Sequence, residues 1–233
     1  MKSDNIKIYN AVIIDVEGSG GSARGDPYGT GSMVSLGAVD FNTRYEFYEE
    51  CRVMEGRGYD EQALKVNGFT KEEIYDRSKQ SALDLILKLE AFCGSHGSRL
   101  LCAWGNYDLK MMLAAYDYYG REWGLPGMYL NLKPISKSML GQKRSGLSNT
   151  AIKLGMPPEQ YPHTGINGAR LAAENLSVML FKRHYYKEYE EYRIPVLKAK
   201  EAELQTVDVS TIKRQESECS IGDHRLRLKK VPW

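Results

Sequence analysis

Ile6-Lys7-Ile8-Tyr9-Asn10-Ala11-Val12-Ile13-Ile14-Asp15-Val16-Glu17 is a β-branched apolar run that closes on two acids. It reads as a buried strand over residues 6–15, ending at Asp15. In an extended chain residues i and i+2 project to the same face, so Asp15 and Glu17 stand side by side. Neighbouring carboxylates repel one another unless a cation sits between them, and hard oxygen ligands favour Mg²⁺ or Mn²⁺. The plain alternative is an exposed acidic strand end.

Outward from this stretch, Gly18 to Gly31 is rich in Gly and Ser and reads as a flexible loop. Met33–Val39 and the alternating Tyr45–Cys51 read as two further strands. Thr70-Lys71-Glu72-Glu73 carries a capping-box pattern, and Ser81–Phe92 has helical apolar periodicity. Arg99–Trp104 is a short buried strand that delivers Gly105-Asn106-Tyr107-Asp108 to a helix over Leu109–Tyr119. Ser148–Leu154 and Gly168–His184 are helical, parted by the turn Met156-Pro157-Pro158. Strands first, then helix alternating with strand, predict an α/β fold: one mixed β-sheet flanked by helices on both faces. The expected organisation is a single domain over 6–181 with a charged C-terminal extension over 182–233.

A chain of 233 residues can bury the core of one sizeable domain. No run approaches the roughly 20 apolar residues that span a bilayer, and the first residues lack a signal-peptide pattern. The four cysteines, Cys51, Cys93, Cys102 and Cys219, have no zinc-type spacing. Reduced thiols in a cytoplasmic protein without a membrane role are the expectation. The net charge of +2 selects no partner, and from Lys182 onward 12 Lys+Arg face 9 Asp+Glu, leaving 20 against 21 before it. A neutral body is compatible with nucleic-acid binding, because an acidic metal site offsets a basic rim.

Two further residues bear on chemistry. Asp108 stands where a strand edge meets a helix N-terminus, the usual place for a site in an open α/β sheet, although a helix-capping acid also belongs there. His163, in Tyr161-Pro162-His163-Thr164-Gly165, precedes a helix and is either a base or a surface histidine.

Together these residues resemble the DEDDh group of DnaQ-like 3′–5′ exonucleases, which have an RNase H-like fold. Asp15-Val16-Glu17 is similar to that family's first motif, Asn106-Tyr107-Asp108 to its second, and His163 with its following helix to its third. Ser35-Leu36-Gly37-Ala38-Val39 and Ala63-Leu64-Lys65-Val66-Asn67-Gly68-Phe69-Thr70 resemble the intervening segments. Trp104–Lys110 and His163–Arg170 look closest to the ERI/KapD subgroup, which trims RNA 3′ ends. The likeness covers about residues 8–181.

The resemblance implies a substrate, the 3′ end of single-stranded RNA or DNA, and a two-metal-ion phosphodiester hydrolysis using Mg²⁺ or Mn²⁺. It implies Asp15, Glu17 and Asp108 as metal ligands and His163 as general base. It also points to Gly18, Trp104, Asn106 and Tyr107 as substrate contacts. One position departs: where the family has a fourth metal-binding Asp, this chain has Gly168. Glu174 lies about 240° further round a helix and faces away, while Asn175 sits about 10 Å along the axis. No nearby residue is an obvious substitute, although Asp26 in the loop could reach the site. The alternative function is therefore an inactive exonuclease-fold module that binds nucleic-acid ends or a protein. A further expectation is that Gly168→Asp would raise metal affinity and rate together.

Overall fold

The computed structural model describes residues 10–20, 31–143 and 145–190. The start of the first expected strand, most of the Gly18–Gly31 loop with Asp26, and the chain from residue 191 with Cys219 lie outside the described residues.

Five strands form one sheet. β1 (Ala11–Gly18), β2 (Met33–Asp40) and β3 (Glu46–Glu50) run antiparallel, whereas β4 (Leu100–Ala103) and β5 (Met128–Asn131) run parallel to β1, giving the order β3-β2-β1-β4-β5. The first strand does not end at Asp15. Its ladder with β2 continues through Asp15↔Gly37 and Glu17↔Ser35, and an irregularity falls only between Glu17 and Gly18. Asp15 and Glu17 are thus held by paired backbone on the central strand, not by a fraying end.

The helices are α1 (Glu61–Asn67), α2 (Lys71–Ile74), α3 (Ala82–Ser95), α4 (Tyr107–Tyr118), α5 (Leu132–Leu140), α6 (Leu147–Lys153) and α7 (Gly165–Phe181). The capping box at Thr70 is made in full, yet α2 has a single turn. Val53 N–H donates to the Ile74 carbonyl at 2.8 Å, so the chain is tied off there instead of continuing. β5 and α5 go beyond what the sequence pattern predicts. Asn131 caps α5 by accepting from Lys133 N–H at 2.9 Å, and Pro134 lies in its first turn, where a missing N–H is harmless.

The sheet is covered on both faces, as expected. Val12, Ile14 and Val16 point into one core with Leu85 and Leu89 of α3 and Met111 and Met112 of α4. The odd-numbered side of β1 meets α7. A Cβ on Gly165 would fall 2.5 Å from Gly37 N and 2.8 Å from the Asp15 carbonyl oxygen, and one on Gly37 would fall 2.2 Å from Gly165 C. Glycine on both partners lets helix backbone rest directly on strand backbone. This contact sets the first turn of α7 over Asp15.

The end of α7 is anchored through a buried acid. Glu174 is fully buried; His184 Nδ1 stands 2.5 Å from one carboxylate oxygen, and Tyr185 and Tyr186 N–H donate to the other at 2.8 and 3.0 Å. Tyr185 then stacks on Phe41, with ring centroids 5.0 Å apart, and its hydroxyl donates to the Asp40 carbonyl at 3.0 Å.

Candidate functional site

β1 carries Asp15 and Glu17 to the mouth of a cleft of about 250 Å³. Asp108, Glu159 and His163 also line it, with Trp104, Tyr107 and Lys133 on the walls. Residues separated by nearly 150 positions therefore meet in one place. Each arrives by a local device. Asp108 belongs to the first turn of α4, not to the segment before it, and is 6% exposed. Its Oδ1 accepts from Val16 N–H at 3.0 Å, which ties α4 to the strand between the two acids. His163 donates its backbone N–H to Val66 at 3.0 Å, and its ring stacks on Tyr161 with centroids 4.5 Å apart.

The acids crowd one another. Burial raises Asp15 well above the usual carboxylate range, and Asp108, Glu17 and Glu159 add repulsion. Glu17 is pushed up to about 7 by burial and then by Asp108. Asp108 is pushed up to about 6 by burial, held back by its bond from Val16 N–H. Glu159 rises to about 7 through burial and the charge of Glu17. Burial lowers His163, favouring the neutral imidazole that accepts a proton.

Such a donor set suits a hard divalent cation. Oxygen ligands from several carboxylates match Mg²⁺ or Mn²⁺, and a buried cluster of like charges is otherwise unfavourable. One oxygen of each of Glu17 and Glu159 and a ring nitrogen of His163 lie within 4.8 Å of one another. Glu159 Oε1 is buried without a hydrogen-bond partner among the described residues, an orphan that a cation would satisfy. The residues present therefore fit the divalent metal that the resemblance implies, and Asp15, Glu17 and Asp108 would be the groups to hold it.

The expected substrate contacts divide. Tyr107 is 45% exposed and Trp104 half-buried, so both present aromatic surface to the cleft. Trp104 is oriented by its indole N–H, which donates to the Ser145 carbonyl at 2.7 Å. Asn106 and Gly18 do not line the cleft. Asn106 Oδ1 accepts from Asn131 at 2.9 Å. A Cβ on Gly18 would fall 2.5 Å from the Tyr107 hydroxyl and 2.1 Å from Met111 Cε, so this glycine gives room for Tyr107.

Gly168 faces the acids as helix geometry predicts, and the Asp15 carboxylate rests against it. A Cβ there would lie 2.2 Å from Asp15 Oδ2. The contact is with the far end of the Asp15 side chain, so an Asp at 168 would bring its carboxylate beside that of Asp15 once the latter turned. Glu174 faces away, as the helix angle implies, and is committed to His184, Tyr185 and Tyr186. Asn175 donates to the Leu147 carbonyl at 3.1 Å. Two charged lining residues escaped the sequence pattern: Lys133, in the unforeseen α5, and Glu159. The only sequence signal for Glu159 was its place four residues ahead of His163 in a proline-rich turn.

No sequence-family profile matches the chain, and no curated protein matches it in sequence. Solved structures do match. The nuclease domain of 3′hExo, a DEDDh family member, bound to rAMP, aligns with a TM-score of 0.61 at 17% identity over 81% of this chain and 98% of that one. A 3′-exonuclease in 3′-end specific recognition of histone mRNA stem-loop aligns with a TM-score of 0.62 at 16% identity, over 81% of this chain and 67% of that one. Cell-death related nuclease 4 (CRN-4) aligns with a TM-score of 0.59 at 13% identity, over 75% and 64%. The chain thus spans nearly all of the isolated nuclease domain and about two thirds of the longer proteins. It has the fold of DEDDh exonuclease nuclease domains, in agreement with the α/β architecture expected from sequence. Among the described residues, no helix is long and apolar enough to cross a membrane.

Proposed function

We propose that this protein is a divalent-metal-dependent 3′–5′ exonuclease of the DEDDh type, acting on the 3′ ends of single-stranded RNA or DNA. The observation that carries this is the meeting of Asp15, Glu17, Asp108 and His163 around one cleft on this fold. RNA is the first substrate to test, because one structural neighbour holds rAMP and another recognises an mRNA stem-loop.

Asp15, Glu17 and Asp108 hold the divalent ions, which supply charge stabilisation and a water of lowered pKa when bound. The chain's own groups do the rest. His163, its neutral form favoured by burial, takes the proton of the attacking water as the new P–O bond forms and the bond to the 3′ oxygen breaks. Trp104 and Tyr107 offer rings on which a terminal base stacks, a contact that tolerates any sequence and is worth roughly 1–3 kcal/mol per base. Lys133 at the rim places a positive charge beside the incoming phosphate. Retention of a reduced thiol state fits three buried, free cysteines, Cys51, Cys93 and Cys102.

Gly168 favours the second reading, an exonuclease fold that binds ends without cleaving them. Digestion of a 5′-labelled single strand decides between the two. A ladder shortening from the 3′ end is expected, abolished by chelator and stronger in limiting Mn²⁺ than in limiting Mg²⁺, since Mn²⁺ binds a given N/O site more tightly and is less strict in geometry. End-binding with no ladder in either metal would give the binding module preference. Equal or better cleavage in Mg²⁺ would contradict the metal preference alone.

A further inference from the structure

We propose that Glu159 supplies the fourth carboxylate of the metal site, entering from the turn ahead of His163 instead of from the helix behind it. The inference rests on the metal-dependent reading above and adds a ligand to it. Position 168 offers no acid, and the Asp15 carboxylate leans toward it, its Oδ2 2.2 Å from where a Cβ would stand. A fourth carboxylate, if the site has one, then comes from a position other than 168.

Glu159 has the attributes of that group. Its side chain is only 8% exposed, and it lines the same cleft as Asp15, Glu17 and Asp108. Oε1 is buried and unpartnered, while Oε2 stands 3.7 Å from His163 Nδ1, beyond hydrogen-bond length. Oε1 is thus left unsatisfied and Oε2 has only the long contact with His163, an arrangement that is unfavourable for a buried carboxylate and is relieved by a cation. The backbone is fixed: Glu159 N–H donates to Ser148 Oγ of α6 at 3.2 Å, and Pro157-Pro158 stiffen the approach. The 4.8 Å span that contains the Glu17, Glu159 and His163 donor atoms is slightly wider than the ~4.2 Å across one ion with ~2.1 Å bonds, within reach of small side-chain turns. With Glu159 the site carries four carboxylates, which balance two divalent cations; without it there are three.

A role confined to orienting His163 is the rival. Direct Mn²⁺ binding to the full chain separates them, read by the loss of the free-ion electron paramagnetic resonance signal for the wild type, Glu159→Gln and Asp15→Asn. Glu159→Gln is expected to weaken Mn²⁺ binding by at least about 10-fold, since even outer groups of a metal site are worth 10–100-fold. If Glu159→Gln proves poorly folded by its melting curve, Glu159→Asp carries the test: it keeps the charge, withdraws the oxygens by one methylene, and should bind Mn²⁺ more weakly than the wild type. Wild-type affinity in Glu159→Gln, with or without a shifted pH–rate profile, together with lost affinity in Asp15→Asn, would overturn the role of Glu159 and leave the metal site standing. No Mn²⁺ binding by the wild type at millimolar concentration would overturn both.

Discussion

Asp15→Asn should lower the rate of 3′-end removal by at least about 10³-fold, on the order of 4 kcal/mol of transition-state stabilisation, while making the metal-free fold more stable. The two effects have opposite sign and one cause. Asp15 sits on the central strand among Asp108, Glu17 and Glu159, so its charge is unfavourable without a cation and indispensable with one. The pH dependence follows from the raised acids. Glu17 and Glu159 at about 7 and Asp108 at about 6 bind protons in the folded state that the unfolded chain has already released. Their contribution to stability in chelator is therefore fully present below about pH 4, and is lost as pH rises through these values. Melting curves at pH 5 and 8, with chelator and with Mn²⁺, check this: Asp15→Asn should flatten the fall and shrink the Mn²⁺-induced rise. An unchanged melting profile would show that Asp15 does not share a site with the other acids. Undiminished cleavage would place the chemistry elsewhere.

The second large effect is structural. Glu174→Ala should destabilise the protein by about 3–5 kcal/mol, because it leaves three donors of a buried network without their acceptor. A drop in melting temperature on the order of 10 °C would accompany it. Proteolysis should then cut sooner around Tyr185 and Tyr186, whose backbone N–H groups the carboxylate holds. A loss below about 1 kcal/mol would mean that the stacking of Tyr185 on Phe41 suffices to dock this segment.

The parts of the fold that rest on uninterrupted apolar pattern were legible in the sequence. β1, β2, α3 and α7 carry long periodic runs, and the bracketing of Asp15 and Glu17 by Ile14 and Val16 marks which residues face the core. Boundaries were less legible because tertiary partners set them: β2 extends β1 past Asp15, and Val53 ends α2 at Ile74. β5 and α5 were missed because Met128-Tyr129-Leu130-Asn131 is short and half-exposed, and Lys133-Pro134 reads as a break until Pro134 is seen in a helix's first turn. Asp15, Glu17, Asp108 and His163 each stand out at a strand or helix end, and the fold brings them to one cleft. Glu159 does not stand out, because a turn has no period to say which way its side chain points. Nor does the sequence show that the Asp15 carboxylate leans toward Gly168.

Anomalous diffraction from crystals of the full chain soaked with Mn²⁺ and a nucleoside 5′-monophosphate tests the metal-centred reading of the cleft most directly. A Mn²⁺ peak is expected at ~2.0–2.3 Å from carboxylate oxygens of Asp15 and Glu17, with the phosphate beside it and the base against Trp104 or Tyr107. Peaks only at surface carboxylates, with the cleft empty at saturating Mn²⁺, would contradict it.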